Sequence, residues 1–161
     1  MTERDALLAV ATLLAPAHAD VAERTLSAHD DPEAFLAEHA DRLDDRGIDE
    51  AIPDLAWIAL VDALDDHRLL AEIDWHEDPQ EIVAQLRRLD SAPDAPEVWV
   101  DEDLPTYEFC QSLGSRLRAA GTTLAALDIE SDCYPLVLLP NGDADTLVAL
   151  ASTAGFKAFT F

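Results

Sequence analysis

The sequence predicts an α+β domain in which a helical N-terminal layer packs on a small mixed sheet with an antiparallel hairpin at its centre. Three observations lead there. Residues 1–47 read as a series of capped, apolar-striped helices. Thr122–Pro140 then reads as two apolar strands separated by the polar break Glu130-Ser131-Asp132. Finally, the second strand contains the continuous run Leu136-Val137-Leu138-Leu139, which leaves no side for solvent and therefore belongs at the middle of a sheet covered by helices.

Thr2 can cap a first helix to Ala15, with Glu3 and Asp5 at the positive end of its dipole and Leu7, Leu8, Val10, Ala11 and Leu14 as its apolar stripe. Pro16 ends it, and a second helix is expected from about Ala19 to Ala28. A third opens on Asp31-Pro32 and closes at Gly47, burying Phe35, Leu36, His39 and Leu43. Leu55–Leu64 is apolar nearly all round, so it is predicted to be a central helix with its one charge, Asp62, on a wet edge; the alternative is burial with a partner. Leu69–Trp75 alternates as a strand with Leu69, Ala71, Ile73 and Trp75 on one face. Asp78-Pro79 starts a helix that buries Ile82, Val83, Leu86 and Leu89. After the turn-rich loop Asp90–Glu97, Val98-Trp99-Val100 reads as a short strand. Asp103 and Pro105 open a helix closed by Gly121, with Phe109, Cys110, Leu113 and Leu117 inward. Past the hairpin, Asn141-Gly142 turns, Asp143 caps a helix Ala144–Ala154, and Phe156–Phe161 makes a last strand. The expectation is one domain over residues 1–161, with 1–47 as a helical N-terminal extension.

The charge bounds the function. The chain of 161 residues carries a formal net charge of -24. Residues 1–103 hold 28 Asp+Glu against 7 Arg, whereas residues 104–161 hold 6 acidic against 3 basic side chains. Such a field repels phosphate backbones and anionic membrane surfaces, so neither nucleic acid nor membrane is an expected partner. A basic protein partner is favoured, although the same charge would serve solubility alone. Asp41, Asp44, Asp45 and Asp49 are a group of N-terminal acidic residues and the candidate contacts. Cys110 and Cys133 have no metal-binding spacing, and two thiols without a leader point to the cytoplasm.

The segments LDIESDCYPLVLLP at 127–140 and ADTLVALASTAGF at 144–156 resemble a family of uncharacterised small bacterial proteins, of the domain-of-unknown-function kind. More remotely, the strand, Ser-Asp turn with Tyr, apolar strand and Gly-terminated helix resemble the Smi1/Knr4-like (SUKH) superfamily. Many of its members are immunity proteins that act without catalysis on an α+β scaffold. The chain departs from that superfamily in lacking a Gly-rich N-terminal pattern near a Trp. The resemblance implies a non-catalytic binding role.

No serine-hydrolase, zinc-protease or nucleotide-binding pattern is present, no two of the five histidines stand at i, i+4, and no cofactor is expected. An enzyme reading must rest on Asp128, Glu130 and Asp132, which in extended chain would share a face, joined by Asp74 and His76 if the first strand lies alongside. Such a cluster of oxygen ligands could hold a hard cation, or pair a neutral with an ionised carboxyl, and it could equally be the wet end of a hairpin. The reading favoured here is a non-catalytic acidic protein-binding module of immunity or regulatory type. The alternative is a small carboxylate- or metal-dependent enzyme built on that cluster.

Overall fold

In the computed structural model, which describes residues 1–161, the apolar runs pair as strands β2 (Thr122–Asp128) and β3 (Cys133–Pro140), antiparallel, with Leu124 opposite Leu138 and Ala126 opposite Leu136. Alternate side chains point to opposite sides, and both sides are covered. Ala125, Leu127, Val137 and Leu139 enter one core, while Leu124, Ala126, Leu136 and Leu138 enter another. This is why neither strand keeps a polar face.

Two short edge strands complete the sheet. β1 (Ala71–Asp74) pairs with β3, and β4 (Lys157–Thr160) pairs with β2, giving the order β1-β3-β2-β4. The sheet is antiparallel throughout and not mixed. The cause is the crossover after β3: helix α8 (Ala144–Thr153) carries the chain past β2, so β4 runs in the direction of β3 and meets β2 head to tail.

The first core holds α1 (Glu3–Leu14), α2 (Ala19–Asp30), α3 (Pro32–Glu38), α4 (Ala40–Asp45), α5 (Leu55–Asp66) and α8 against the sheet. Residues 1–47 therefore share one continuous core with the strands. Trp57 sits inside it, fully buried and stacked on Phe156 with ring centroids 4.9 Å apart. The second core lies between the other sheet face and the helices α6 (Pro79–Arg87) and α7 (Thr106–Ala119), which contribute Ile82, Leu86, Phe109, Cys110, Leu113 and Leu117. Capping follows the sequence at three helices. Thr2 and Asp5 form a reciprocal box, Asp31 accepts from the Ala34 amide, and Asp78 accepts from that of Gln80.

Other expectations change. The third helix breaks at His39, whose φ of -112° and ψ of 27° open one turn between α3 and α4, so that Phe35 and Leu43 can both reach the core. Val98–Val100 is not a strand: Pro96–Val98 is a 3₁₀ turn, and the Val98 and Val100 carbonyls accept from the Arg116 guanidinium instead of a neighbouring strand. Helix α7 begins at Thr106, after Asp103, with Pro105 as its N-cap. Asp143 makes no capping bond; Asn141 holds that corner, accepting from the Thr123 hydroxyl and donating to the Arg118 carbonyl. Leu69 and Trp75 lie outside β1. Leu69 packs against the first core, whereas Trp75 is 51% exposed and stacks on His76. Its amide still donates to the Asp132 carbonyl, so the ladder runs one residue past the strand before the chain turns away.

Candidate partner-binding groove

Helix α4 and its C-cap turn both arginines to one side and Asp41 and Asp44 to another, with Asp45 on the arginine side. Arg42 and Arg46, at i and i+4, share the side facing α5 and β1. Arg46 donates to Asp62 Oδ1 at 2.6 and 3.1 Å and to the two Glu72 oxygens at 2.6 and 3.0 Å. Arg42 donates to Asp66 at 2.6 Å, and Arg24 on α2 donates to the other oxygen of the same carboxylate at 2.7 Å. Burial pulls the Arg46 pKa down, but the hydrogen bonds to Glu72 and Asp62 outweigh it and leave it raised. Asp62 is thus buried with a partner and is not on a wet edge: Leu55–Leu64 is buried throughout, which leaves the one charge in that stretch nowhere to go but to a guanidinium.

This network fixes α4, and so fixes what its other side displays. Leu36, Ala37, Ala40 and Ile48 floor a groove of about 410 Å³ along the α3–α4 elbow, rimmed by Glu33, Asp41, Asp44 and Asp49. None of those four carboxylates has a Lys, Arg or His within ion-pair distance. Their charge is uncompensated around an apolar floor. Of the four candidate contacts expected from the sequence, Asp41, Asp44 and Asp49 meet here. Asp45 points elsewhere, lining a separate hollow with Arg42, Arg46 and Glu72.

The proposed enzyme cluster does not assemble. Strand β2 stops at Asp128, whose side chain accepts from the Glu130 amide at 2.8 Å, and Glu130 takes a left-handed φ of 56°. The extended geometry that would have aligned Asp128, Glu130 and Asp132 is therefore broken by the turn. Glu130 and Asp132 are exposed, and His76 is held against Trp75; the four do not form a set of donor atoms close enough to share a cation. Asp128 alone borders a hollow of about 520 Å³ at this end of the sheet, walled by Tyr107, Tyr134 and Phe159 beside Lys157. Cys133 lies there too, but burial, with Glu72 and Asp74, pushes its thiol up, away from a nucleophilic thiolate. Cys110 is pushed up to about 12 by burial alone, as a core residue should be.

One group brought together by the fold has no signature in the sequence. His18, before α2, and His67, after α5, stack with centroids 4.0 Å apart, and Asp20 lies 2.6 Å from the His67 Nε2. The spacing of 47 residues between Asp20 and His67 hides them; the only local trace is His-Ala-Asp at a helix start.

Fold and groove together define an α+β domain of three layers, with the sheet between two helical covers and an acid-rimmed apolar groove on one of them. The chain belongs to the family described as Domain of unknown function (DUF6630), which it matches over residues 6–161. No curated protein and no solved structure matches it. No helix is long and apolar enough to cross a membrane.

Proposed function

We propose that this protein is a non-catalytic binding module whose α3–α4 groove receives a short basic amphipathic segment of a partner protein. The observation that carries this reading is the pairing of an aliphatic floor, Leu36, Ala37, Ala40 and Ile48, with the four unpaired carboxylates Glu33, Asp41, Asp44 and Asp49. Apolar side chains of the incoming segment would leave water on the floor, while its Lys and Arg would meet the rim. Long-range attraction by the acidic surface would raise the rate of encounter. The resemblance to the SUKH superfamily read from the sequence pattern of residues 127–156 is the ground for an immunity or regulatory role in a bacterial cytoplasm, and the free Cys110 and Cys133 fit a reducing compartment. The carboxylate-enzyme reading keeps in its favour Asp128 beside one hollow, and Asp128 with Glu130 beside a smaller one of about 210 Å³ next to Lys157.

The test uses a labelled peptide that alternates leucine and lysine at helical spacing, titrated by fluorescence anisotropy. Binding should weaken steeply as salt rises from about 0.05 to about 0.5 M, where the Debye length falls well below 10 Å. Asp41→Asn/Asp44→Asn/Asp49→Asn should lose affinity, as should Ile48→Asn, while Asp128→Asn/Asp132→Asn should leave it unchanged. Equal losses in both sets would mean that the peptide reads net charge and not the groove, and the proposal would fall.

A further inference from the structure

We infer that His18, Asp20 and His67 form a binding site for a divalent transition cation of the zinc class, clasping the start of α2 to the end of α5. The ligand atoms of the three side chains lie within 4.8 Å of one another. Two imidazoles and a carboxylate suit zinc, cobalt or nickel, whereas magnesium and calcium prefer an all-oxygen set. A cation at about 2.0–2.2 Å from each ligand needs its donors roughly 3.0–3.5 Å apart, a spacing that the present set brackets. The 2.6 Å contact between His67 Nε2 and Asp20 Oδ2 would open by less than about 1 Å on loading, the proton on that bond being displaced by the metal.

The surroundings allow that adjustment. Asp20 is half exposed and His67 about a quarter exposed, so neither is locked by the core. His18 precedes the first turn of α2 without making a capping bond, so its ring is held by the stack on His67 and has only to turn against that ring to serve as a ligand. The backbones behind them are fixed, because α2 and α5 share the first core and are tied by the Arg24–Asp66 pair. Three protein ligands on a solvent-facing edge leave coordination positions for water, as in zinc sites that stay open. Without a metal the same residues still make a hydrogen bond and a ring stack, so a purely structural role is the competing account.

The test titrates the chelator-treated full chain with Co²⁺ alone and follows the visible d–d absorption. A saturable one-to-one band should appear, and free Co²⁺ should raise the urea midpoint. Asp20→Asn and His18→Ala should each weaken Co²⁺ binding by about tenfold or more, since even residues that only orient ligands cost that much. His67→Gln should do the same from the other helix; if it does not fold, the first two variants decide. Asp128→Ala/Asp132→Ala should bind Co²⁺ as the parent does, and Mg²⁺ at equal ionic strength should not compete. Absence of the band, unchanged affinity in the folded variants, or equal competition by Mg²⁺ would assign the cluster to structure alone. These residues lie outside the groove, so this result and the peptide result stand or fall separately.

Discussion

Replacing Arg46 with leucine should strip the buried Asp62 carboxylate of its nearest cation while leaving the carboxylate in place. The Asp62 side chain is 5% exposed, and Arg46 reaches it at 2.6 and 3.1 Å. Removing one partner of a buried ion pair costs about 3–5 kcal/mol, because the remaining charge keeps its desolvation penalty. Arg42 stands 3.5 Å from the same oxygen and can lean towards it, which puts the expected loss at the lower end. For a domain of this size about 1 kcal/mol moves Tm by ~2–4 °C, so a loss of about 3 kcal/mol should lower it by roughly 6–12 °C. The assay is urea and thermal unfolding of the parent, Arg46→Leu, Asp62→Leu and the double variant, with equal m-values required before the free energies are compared. The double variant should be more stable than the sum of the single losses, since removing both charges also removes the penalty. An Arg46→Leu protein within about 1 kcal/mol of the parent would refute the claim that this pair fixes α4, and with it the account of why the groove is acidic.

Further outcomes follow from the same structure. Val137→Asp should abolish folding, because Val137 lies fully inside the first core and an unpaired charge there costs several kcal/mol, on the order of the whole stability of a domain; a cooperative melt would contradict this. Gly114→Ala should destabilise by about 1–3 kcal/mol despite alanine's better helix propensity, since its Cβ would stand 2.8 Å from the Phe161 Cβ; denaturant melts decide. Stability should fall as pH drops below the ordinary carboxylate range. Asp5, bonded to Thr2, Asp20, bonded to His67, and Asp30, bonded to Arg4, all hold lowered pKa values, so their contribution is complete above that range and is lost as pH falls through the lowered values. Asp65 has the opposite sign: burial and its acidic neighbours raise its pKa, so ionising it opposes folding, and Asp65→Asn should melt no lower than the parent at neutral pH.

By itself the sequence determined the hairpin and most of the elements, though not the break at His39 or the 3₁₀ turn at Pro96–Val98. Period-two apolar runs, caps such as Asp31 and Asp78, and turns at Gly47 and Asn141 act over a few residues, so they can be read without knowing the rest of the chain. The same holds for the double-sided burial of Leu136–Leu139, which an unbroken apolar run requires wherever its neighbours lie. The acidic group Asp41, Asp44 and Asp49 was legible as a charge cluster, but its becoming a groove was not. That depended on the kink at His39 and on Arg42 and Arg46 being drawn to Asp66, Asp62 and Glu72, partners 16 to 26 residues away. Extrapolating strand geometry through Glu130 failed for a local reason: one left-handed residue ends the alternation on which the Asp128, Glu130 and Asp132 reading relied. The burial of Asp62, the antiparallel fourth strand and the meeting of His18 and Asp20 with His67 were decided only by the packing of whole elements. Long-range contacts are selected by the summed burial of helix faces and not by the few residues that meet, so no local pattern announces them.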